Sequence, residues 1–214
     1  MYRYCFFDLD GTLTDPGIGI TNSVIYSLKK FGIEEKDRTE LFKFIGPPLI
    51  ESYIKYYGFS EEQAEKAVFY YREYFRETGI LENKLYEGII ELLEKLKAQK
   101  KILVLATSKP EEFVVRILKH FDIYKYFEFV GAATMDGSRS KKKDIIKYAI
   151  DNLNIKDKSE IIMIGDREQD ILGAKDNDID SIGVLYGYGA YEELVNADAK
   201  YVVKEPGEIM SIVF

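Results

Sequence analysis

The stretch Tyr4-Cys5-Phe6-Phe7-Asp8-Leu9-Asp10-Gly11-Thr12-Leu13-Thr14-Asp15 governs how the remaining chain is read. Cys5 to Phe7 form a short apolar run of the kind that makes a fully buried strand. Two carboxylates follow at alternate positions. Residues two apart in a strand point the same way, so Asp8 and Asp10 can both approach one small volume at the strand's end. Gly11 then lets the backbone turn sharply away. Two like charges ending a buried strand are costly unless a cation or substrate compensates them. That cost marks a site.

Beyond Asp15 the pattern turns helical. Ile18, Ile20, Val24, Ile25, Leu28 and Phe31 recur at helical spacing until Gly32. A second helical piece ends near Ile45, where Gly46-Pro47-Pro48-Leu49 breaks it. Helices are expected over 49–57 and 60–78, the latter opened by the capping-box pattern Ser60-Glu61-Glu62-Gln63. No strand pattern occurs between Pro16 and Gly79. The expectation is an all-helical cap, residues 16–79, inserted into a core made of 1–15 and 80–214.

From Leu81 onward, helices and strands alternate. Strands are expected at 101–106, 127–131, 160–165, 181–185 and 201–203, and helices at 88–99, 110–121, 142–153 and 169–177. Apolar strands separated by helices define an α/β class with a doubly wound parallel sheet covered on both faces. Ligands in such sheets bind at the carboxyl ends of the strands.

Those ends carry a distinctive set of residues. The first strand delivers Asp8 and Asp10. The strand at 101–106 delivers Thr107-Ser108-Lys109, a hydroxyl and backbone N–H groups at an expected helix start, which suits phosphate and equally suits a plain N-cap. The strand at 160–165 delivers Gly165-Asp166-Arg167-Glu168-Gln169-Asp170, with Asp166 and Asp170 one helical turn apart. Acids in a first helical turn also favour the helix dipole, a reading that explains Asp170 better than Asp166. Between these strands lies Asp136-Gly137-Ser138-Arg139-Ser140-Lys141-Lys142-Lys143. Ile145, Ile146, Ala149 and Leu153 form that helix's buried stripe. Lys142 is the lysine best aligned with the stripe, with Lys141 or Lys143 as alternatives.

Composition narrows the function. The 214 residues carry 37 acidic and 30 basic side chains, a net charge of −7, so a nucleic-acid polymer or an anionic membrane is not the expected partner. No apolar run approaches the ~20 residues of a membrane span. Charged residues by Asp8 leave no room for a signal peptide, and the lone Cys5 forms no internal disulfide, so a cytoplasmic location is expected. The single His120 reads as a helix-end residue.

Asp8-Leu9-Asp10-Gly11-Thr12, Thr107 at a strand end, Lys142 before a helix and Gly165-Asp166 with Asp170 occur in this order across nearly the whole chain. Together they resemble the haloacid dehalogenase-like hydrolases, most closely the phosphoglycolate phosphatase and 5′-nucleotidase-like branch with a helical type 1 cap. Thr14-Asp15, Gly46-Pro47-Pro48-Leu49, Asp136-Gly137-Ser138-Arg139 and Gly187-Tyr188-Gly189 are similar to the nucleotidase-like members. The chain departs from many relatives in lacking a Lys-Pro-x-Pro at the lysine and in having Arg167 after Asp166.

The resemblance implies a Mg²⁺-dependent phosphatase acting on small phosphate monoesters. Asp8 is then the nucleophile that becomes an aspartyl-phosphate, and Asp10 the general acid and base. Mg²⁺ is held by the Asp8 carboxylate, the Asp10 backbone carbonyl and Asp166, with Asp170 behind them. Thr107, Ser108 and Lys142 bind the transferring phosphoryl oxygens. Arg139 steadies substrate phosphate or the cap, or bridges surface acids, and Gly46 presents backbone to substrate or simply forms a turn. The cap is the expected source of selectivity. Its tyrosines 53, 56, 57, 70, 71 and 74 could stack on a base, although helical spacing favours packing. A 5′-nucleotidase is the leading expectation, with phosphoglycolate phosphatase, sugar-phosphate phosphatase or mutase as alternatives. A different-class alternative, a non-enzymatic phosphoacceptor domain, has no use for an insertion of about 65 residues. Whether the chain is a monomer or a dimer stays open.

Overall fold

The computed structural model describes residues 1–214. The chain begins with β1 (Tyr4–Phe7) and β2 (Thr14–Asp15), followed by α1 (Gly17–Lys29), a 3₁₀ segment (Arg38–Phe44), α2 (Leu49–Tyr57) and α3 (Glu61–Tyr74). After β3 (Lys84–Leu85) it runs through α4 (Ile89–Ala98), β4 (Ile102–Pro110), α5 (Glu111–His120), β5 (Phe127–Ala133) and α6 (Lys142–Asn152). It closes with β6 (Ile161–Gly165), α7 (Glu168–Lys175), β7 (Asp180–Val184), α8 (Tyr191–Asn196), β8 (Tyr201–Val203) and α9 (Ile209–Val213).

Two compact units result: Met1–Asp15 with Leu85–Phe214, and Pro16–Lys84. The return to the sheet unit falls at Leu85 rather than at residue 80. Helical hydrogen bonding explains the difference. Ile80, Leu81 and Glu82 donate back to Phe75, Thr78 and Gly79, and the Glu82 carbonyl accepts from Gly19 N–H at 3.1 Å, so these residues belong to the helical unit.

The sheet unit is built on six parallel strands in the order β5-β4-β1-β6-β7-β8. It is the doubly wound, Rossmann-like α/β architecture that the apolar strands announce. β1 lies in the middle, with Tyr4 opposite Ile102 of β4 and Ile161 of β6. The chain proceeds outward on one side through β4 and β5, then returns to build β6, β7 and β8 on the other. The carboxyl ends of β1, β4 and β6 therefore meet at the switch point, where such sheets bind ligands.

Both faces of the sheet are dry. Phe6, Val104, Ala106, Ile161 and Met163 pack with Ile145, Ile146, Ala149 and Ile150 of α6 and Ala174 of α7. Residues of opposite parity, Cys5, Phe7, Leu103, Leu105, Ile162 and Ile164, are equally buried. Burial of each such large apolar side chain contributes about 2 kcal/mol.

β4 is longer than its sequence suggests. It continues through Thr107, Ser108 and Lys109, with a register irregularity between Thr107 and Pro110, and α5 starts only after Pro110. In this segment Thr107 and Lys109 are buried, while Ser108 between them is half-buried.

In the helical unit, α1 and α3 approach closely, and Ser27 Oγ donates to the Ala67 carbonyl at 2.7 Å. α3 opens with a complete capping box between Ser60 and Gln63. Tyr53 and Tyr71 are core residues, stacked on Phe59 and Phe75 respectively. No helix of the chain is long and apolar enough to cross a membrane.

Candidate active site

β1 carries Asp8 and Asp10 into the switch point, where both are buried. Asp8 Oδ1 accepts from its neighbour's backbone, Leu9 N–H, at 2.7 Å, and pairs with Lys142 Nζ at 2.8 Å. Both contacts fall on Oδ1, which leaves Oδ2 without a hydrogen bond. The turn after Asp10 passes through Gly11 at φ +82°, and a side chain there would run into the Asp166 carboxylate. Only glycine supplies both the left-handed backbone and the space.

Lys142 sits in the first turn of α6. It is buried, whereas Lys141 and Lys143 are exposed. The same 3.6-residue period that buries Ile145 and Ile146 turns its side chain inward. Its Nζ lies 2.8 Å from Asp8, 2.7 Å from Asp170 Oδ1 and 3.0 Å from the Ala106 carbonyl of β4. Asp170 is held in turn by Arg167 N–H, which donates to Oδ2 at 3.1 Å and caps the start of α7. Asp166, at the end of β6, accepts from Tyr188 N–H at 2.8 Å and from the Thr12 hydroxyl at 3.5 Å. Tyr188 also donates its hydroxyl to Asp15.

Asp10 turns to a different partner. Its Oδ2 lies 2.6 Å from Lys109 Nζ, both groups are buried, and its Oδ1 is enclosed with no hydrogen bond. Thr107 is buried at the same strand end and accepts from Lys109 N–H at 3.3 Å. Ser108, adjacent in sequence, is half-buried. Arg139 does not join this group. Its guanidinium stacks 3.7 Å over the Tyr148 ring, and its Nε donates to the Ala132 carbonyl at 3.0 Å. Gly46 lies in the helical unit at φ +104°, the left-handed bend between the 3₁₀ segment and α2.

Two contributors escaped the sequence reading. Lys109 stands where the sequence pattern expects a helix start, and the longer strand buries it beside Thr107 instead. The backbone of Tyr188, which orients Asp166, left only the flanking glycines as a signal: Gly187 and Gly189 both press against Asp166.

The charges do not balance. Asp8, Asp10, Asp166 and Asp170 are four buried carboxylates facing two buried ammoniums, Lys109 and Lys142. Burial, reinforced by Asp170 and Asp8, pushes the Asp166 carboxyl well above the ordinary range. Burial and Asp8 lift Asp170 to about 6 against the opposing pull of Lys142. Burial also raises Asp10, with Lys109 opposing and Asp8 adding. Lys142 stays protonated, because Asp170 and Asp8 outweigh the burial that would strip its charge. A divalent cation would offset the crowding of four carboxyl groups against only two ammoniums. Oxygens of Asp8, Asp166 and Asp170 all lie within 4.8 Å of one another, and hard oxygen donors suit Mg²⁺. The residues present fit such an ion.

Residues 5–184 match the family of haloacid dehalogenase-like hydrolases, and the chain belongs to that family. It is an enzyme of the family's phosphatase class. The chain is 45% identical over 193 residues to a 5′-nucleotidase of Pseudomonas aeruginosa, covering 90% of this chain and 87% of that one. The crystal structure of a predicted phosphatase from Clostridium acetobutylicum superimposes with a TM-score of 0.97 at 51% identity, covering 100% of this chain and 98% of that one. The tyrosine-protein kinase PtkA of Mycobacterium tuberculosis is 38% identical over 183 residues, which span 86% of this chain but only 62% of PtkA.

Proposed function

We propose that this chain is a Mg²⁺-dependent phosphatase that hydrolyses nucleoside 5′-monophosphates through an aspartyl-phosphate on Asp8. The observation that carries the reading is the buried Lys142 ammonium joining Asp8 to Asp170 beside Asp166, at the switch point of the sheet. Similarity over nearly its whole length to a 5′-nucleotidase supports the nucleotide class.

In this mechanism Lys142 and the Leu9 N–H hold Oδ1 of Asp8, so that Oδ2 attacks phosphorus. Thr107, the Ser108 backbone and Lys142 orient the phosphoryl oxygens and spread their charge. Asp10, whose burial favours the neutral acid, gives its proton to the leaving oxygen and then takes one from the attacking water. Asp8, Asp166 and the Asp10 backbone carbonyl would hold Mg²⁺, and Asp170 would fix Lys142 from behind. What the ion supplies when bound is neutralisation of the carboxylates and of the phosphoryl charge.

The test is phosphate release from nucleoside 5′-monophosphates, 2-phosphoglycolate and sugar phosphates, with Mg²⁺ and with EDTA, beside Asp8→Asn. Metal-dependent release from nucleotides that vanishes in Asp8→Asn supports the reading. A preference for phosphoglycolate or a sugar phosphate overturns the substrate class, and activity surviving in Asp8→Asn overturns the mechanism.

A further inference from the structure

The contact between Lys109 and Asp10 has no structural justification that outweighs its cost. Desolvating a carboxylate and an ammonium roughly cancels what their attraction returns, so a buried pair is weak support for stability. Here an additional cost is present, since Asp10 Oδ1 is enclosed and bonds nothing. The arrangement is nonetheless specific. β4 runs on past the point where its helix would be expected to begin, and this extension buries Lys109 along with Thr107, whose hydroxyl accepts from Lys109 N–H. The ammonium then reaches one oxygen of Asp10 and not the other, at 2.6 Å.

A lysine ammonium has donors and no acceptor. The Asp10 oxygen it holds must therefore be an unprotonated acceptor, and a proton on this carboxyl belongs on Oδ1. We propose that Lys109 is a positioning residue for phosphoryl transfer: by holding Oδ2 of Asp10, it assigns Oδ1 as the atom that exchanges protons with the substrate. This rests on the mechanism proposed above. In the first step Asp8 Oδ2 bonds to phosphorus, the ester P–O bond breaks, and the leaving oxygen takes the proton from Asp10 Oδ1 and departs as an alcohol. In the second step a water oxygen bonds to phosphorus and gives a proton to Asp10 Oδ1. The P–O bond to Asp8 breaks, and both carboxyl groups return to their starting states. Throughout, Lys109 touches neither the ester nor the phosphoryl group.

Leaving-group chemistry distinguishes this role from a merely structural one. An alkyl ester needs a proton on its departing oxygen, whereas p-nitrophenolate leaves without one. The experiment measures kcat/KM, which reports the first phosphoryl transfer, for the preferred alkyl ester and for p-nitrophenyl phosphate in the Mg²⁺-loaded wild type, Asp8→Asn, Asp10→Asn and Lys109→Met. The expected result is no turnover of either ester by Asp8→Asn. Asp10→Asn and Lys109→Met should both lose about 10²-fold or more on the alkyl ester and far less on p-nitrophenyl phosphate, the scale of general acid catalysis. Because both esters are assayed on the same sample, the ratio does not depend on how much of a variant folds.

Equal losses on the two esters by Lys109→Met, beside a selective loss by Asp10→Asn, overturn the proposal and leave the mechanism standing. A rise in KM for both esters does the same, since it would make Lys109 a phosphate ligand. Turnover by Asp8→Asn, or no selectivity in Asp10→Asn, removes the mechanism itself.

Discussion

Lys142 Nζ lies 2.8 Å from Asp8 Oδ1, and neither group is exposed to solvent. The carboxylate comes from the end of the first strand and the ammonium from the first turn of a helix far along the chain. Lys142 also contacts Asp170 at 2.7 Å, so one cation serves two acids. Replacing it by methionine strands both carboxylates. Lys142→Met should lower phosphate release by about 10³-fold or more and cost about 3 kcal/mol of stability in EDTA. Urea melts and turnover assays check both numbers. The exposed neighbour provides the contrast, since Lys141→Met should shift stability by less than about 0.5 kcal/mol.

The acid cluster makes the metal-free protein sensitive to pH. Asp170 titrates at about 6 in the folded chain and near ~3.9 when unfolded. Between these values the folded state binds more protons than the unfolded one, so stability falls as pH rises through the window. The penalty develops as pH rises towards about 6 and is fully present above that range. In EDTA the melting temperature should therefore be higher at pH 5 than at pH 7.5. A scan of melting temperature against pH reads the sign directly.

Mg²⁺ should remove that penalty. A ligand that binds only the folded state raises its stability in proportion to the logarithm of its concentration, so the melting temperature at pH 7.5 should climb with added Mg²⁺. Asp166→Asn removes one of the crowded charges. It should leave the metal-free protein as stable as the wild type or more so, while flattening the response to Mg²⁺.

The loop over Asp166 allows little change. A Cβ at Gly189 would collide with the Asp166 backbone carbonyl. Gly189→Ala should cost about 2 kcal/mol, in the range of overpacking, and displace the Tyr188 N–H that holds the carboxylate. Calorimetric titration with Mg²⁺ should show weaker binding than in the wild type.

The helical unit offers a control that involves none of the residues of the acid cluster. Ser60 Oγ accepts from Gln63 N–H, and Gln63 returns a bond to Ser60 N–H. Ser60→Ala should cost about 1 kcal/mol in denaturant melts with unchanged kcat per folded enzyme.

Much of this was legible because it depends on local pattern. The apolar run before Asp8, the helical stripe of Ile145 and Ile146 and the Ser60 capping box each signal their structure within a few residues. Lys142 could be favoured over its neighbours for the same reason, since helical period alone turns it inward. The strand starting at Ile102 was also clear, but its end was not. Thr107-Ser108-Lys109-Pro110 carries the marks of a helix start, and pairing of Thr107 with Ala132 and Pro110 with Ala133 of β5 prolongs the strand instead. Local propensity yields there to hydrogen bonds supplied by a neighbour.

By itself, the sequence determined the doubly wound class, the helical insertion and the set of acids and lysine at the strand ends, because hydrophobic period and charge placement are written residue by residue. Only the tertiary structure decided which charges meet. It paired Lys109 with Asp10, set Tyr188 N–H on Asp166 and withdrew Arg139 onto Tyr148. Such choices depend on how strands, helices and loops distant in the chain come within about 3 Å of one another, and on the cost of burying each charge without a partner.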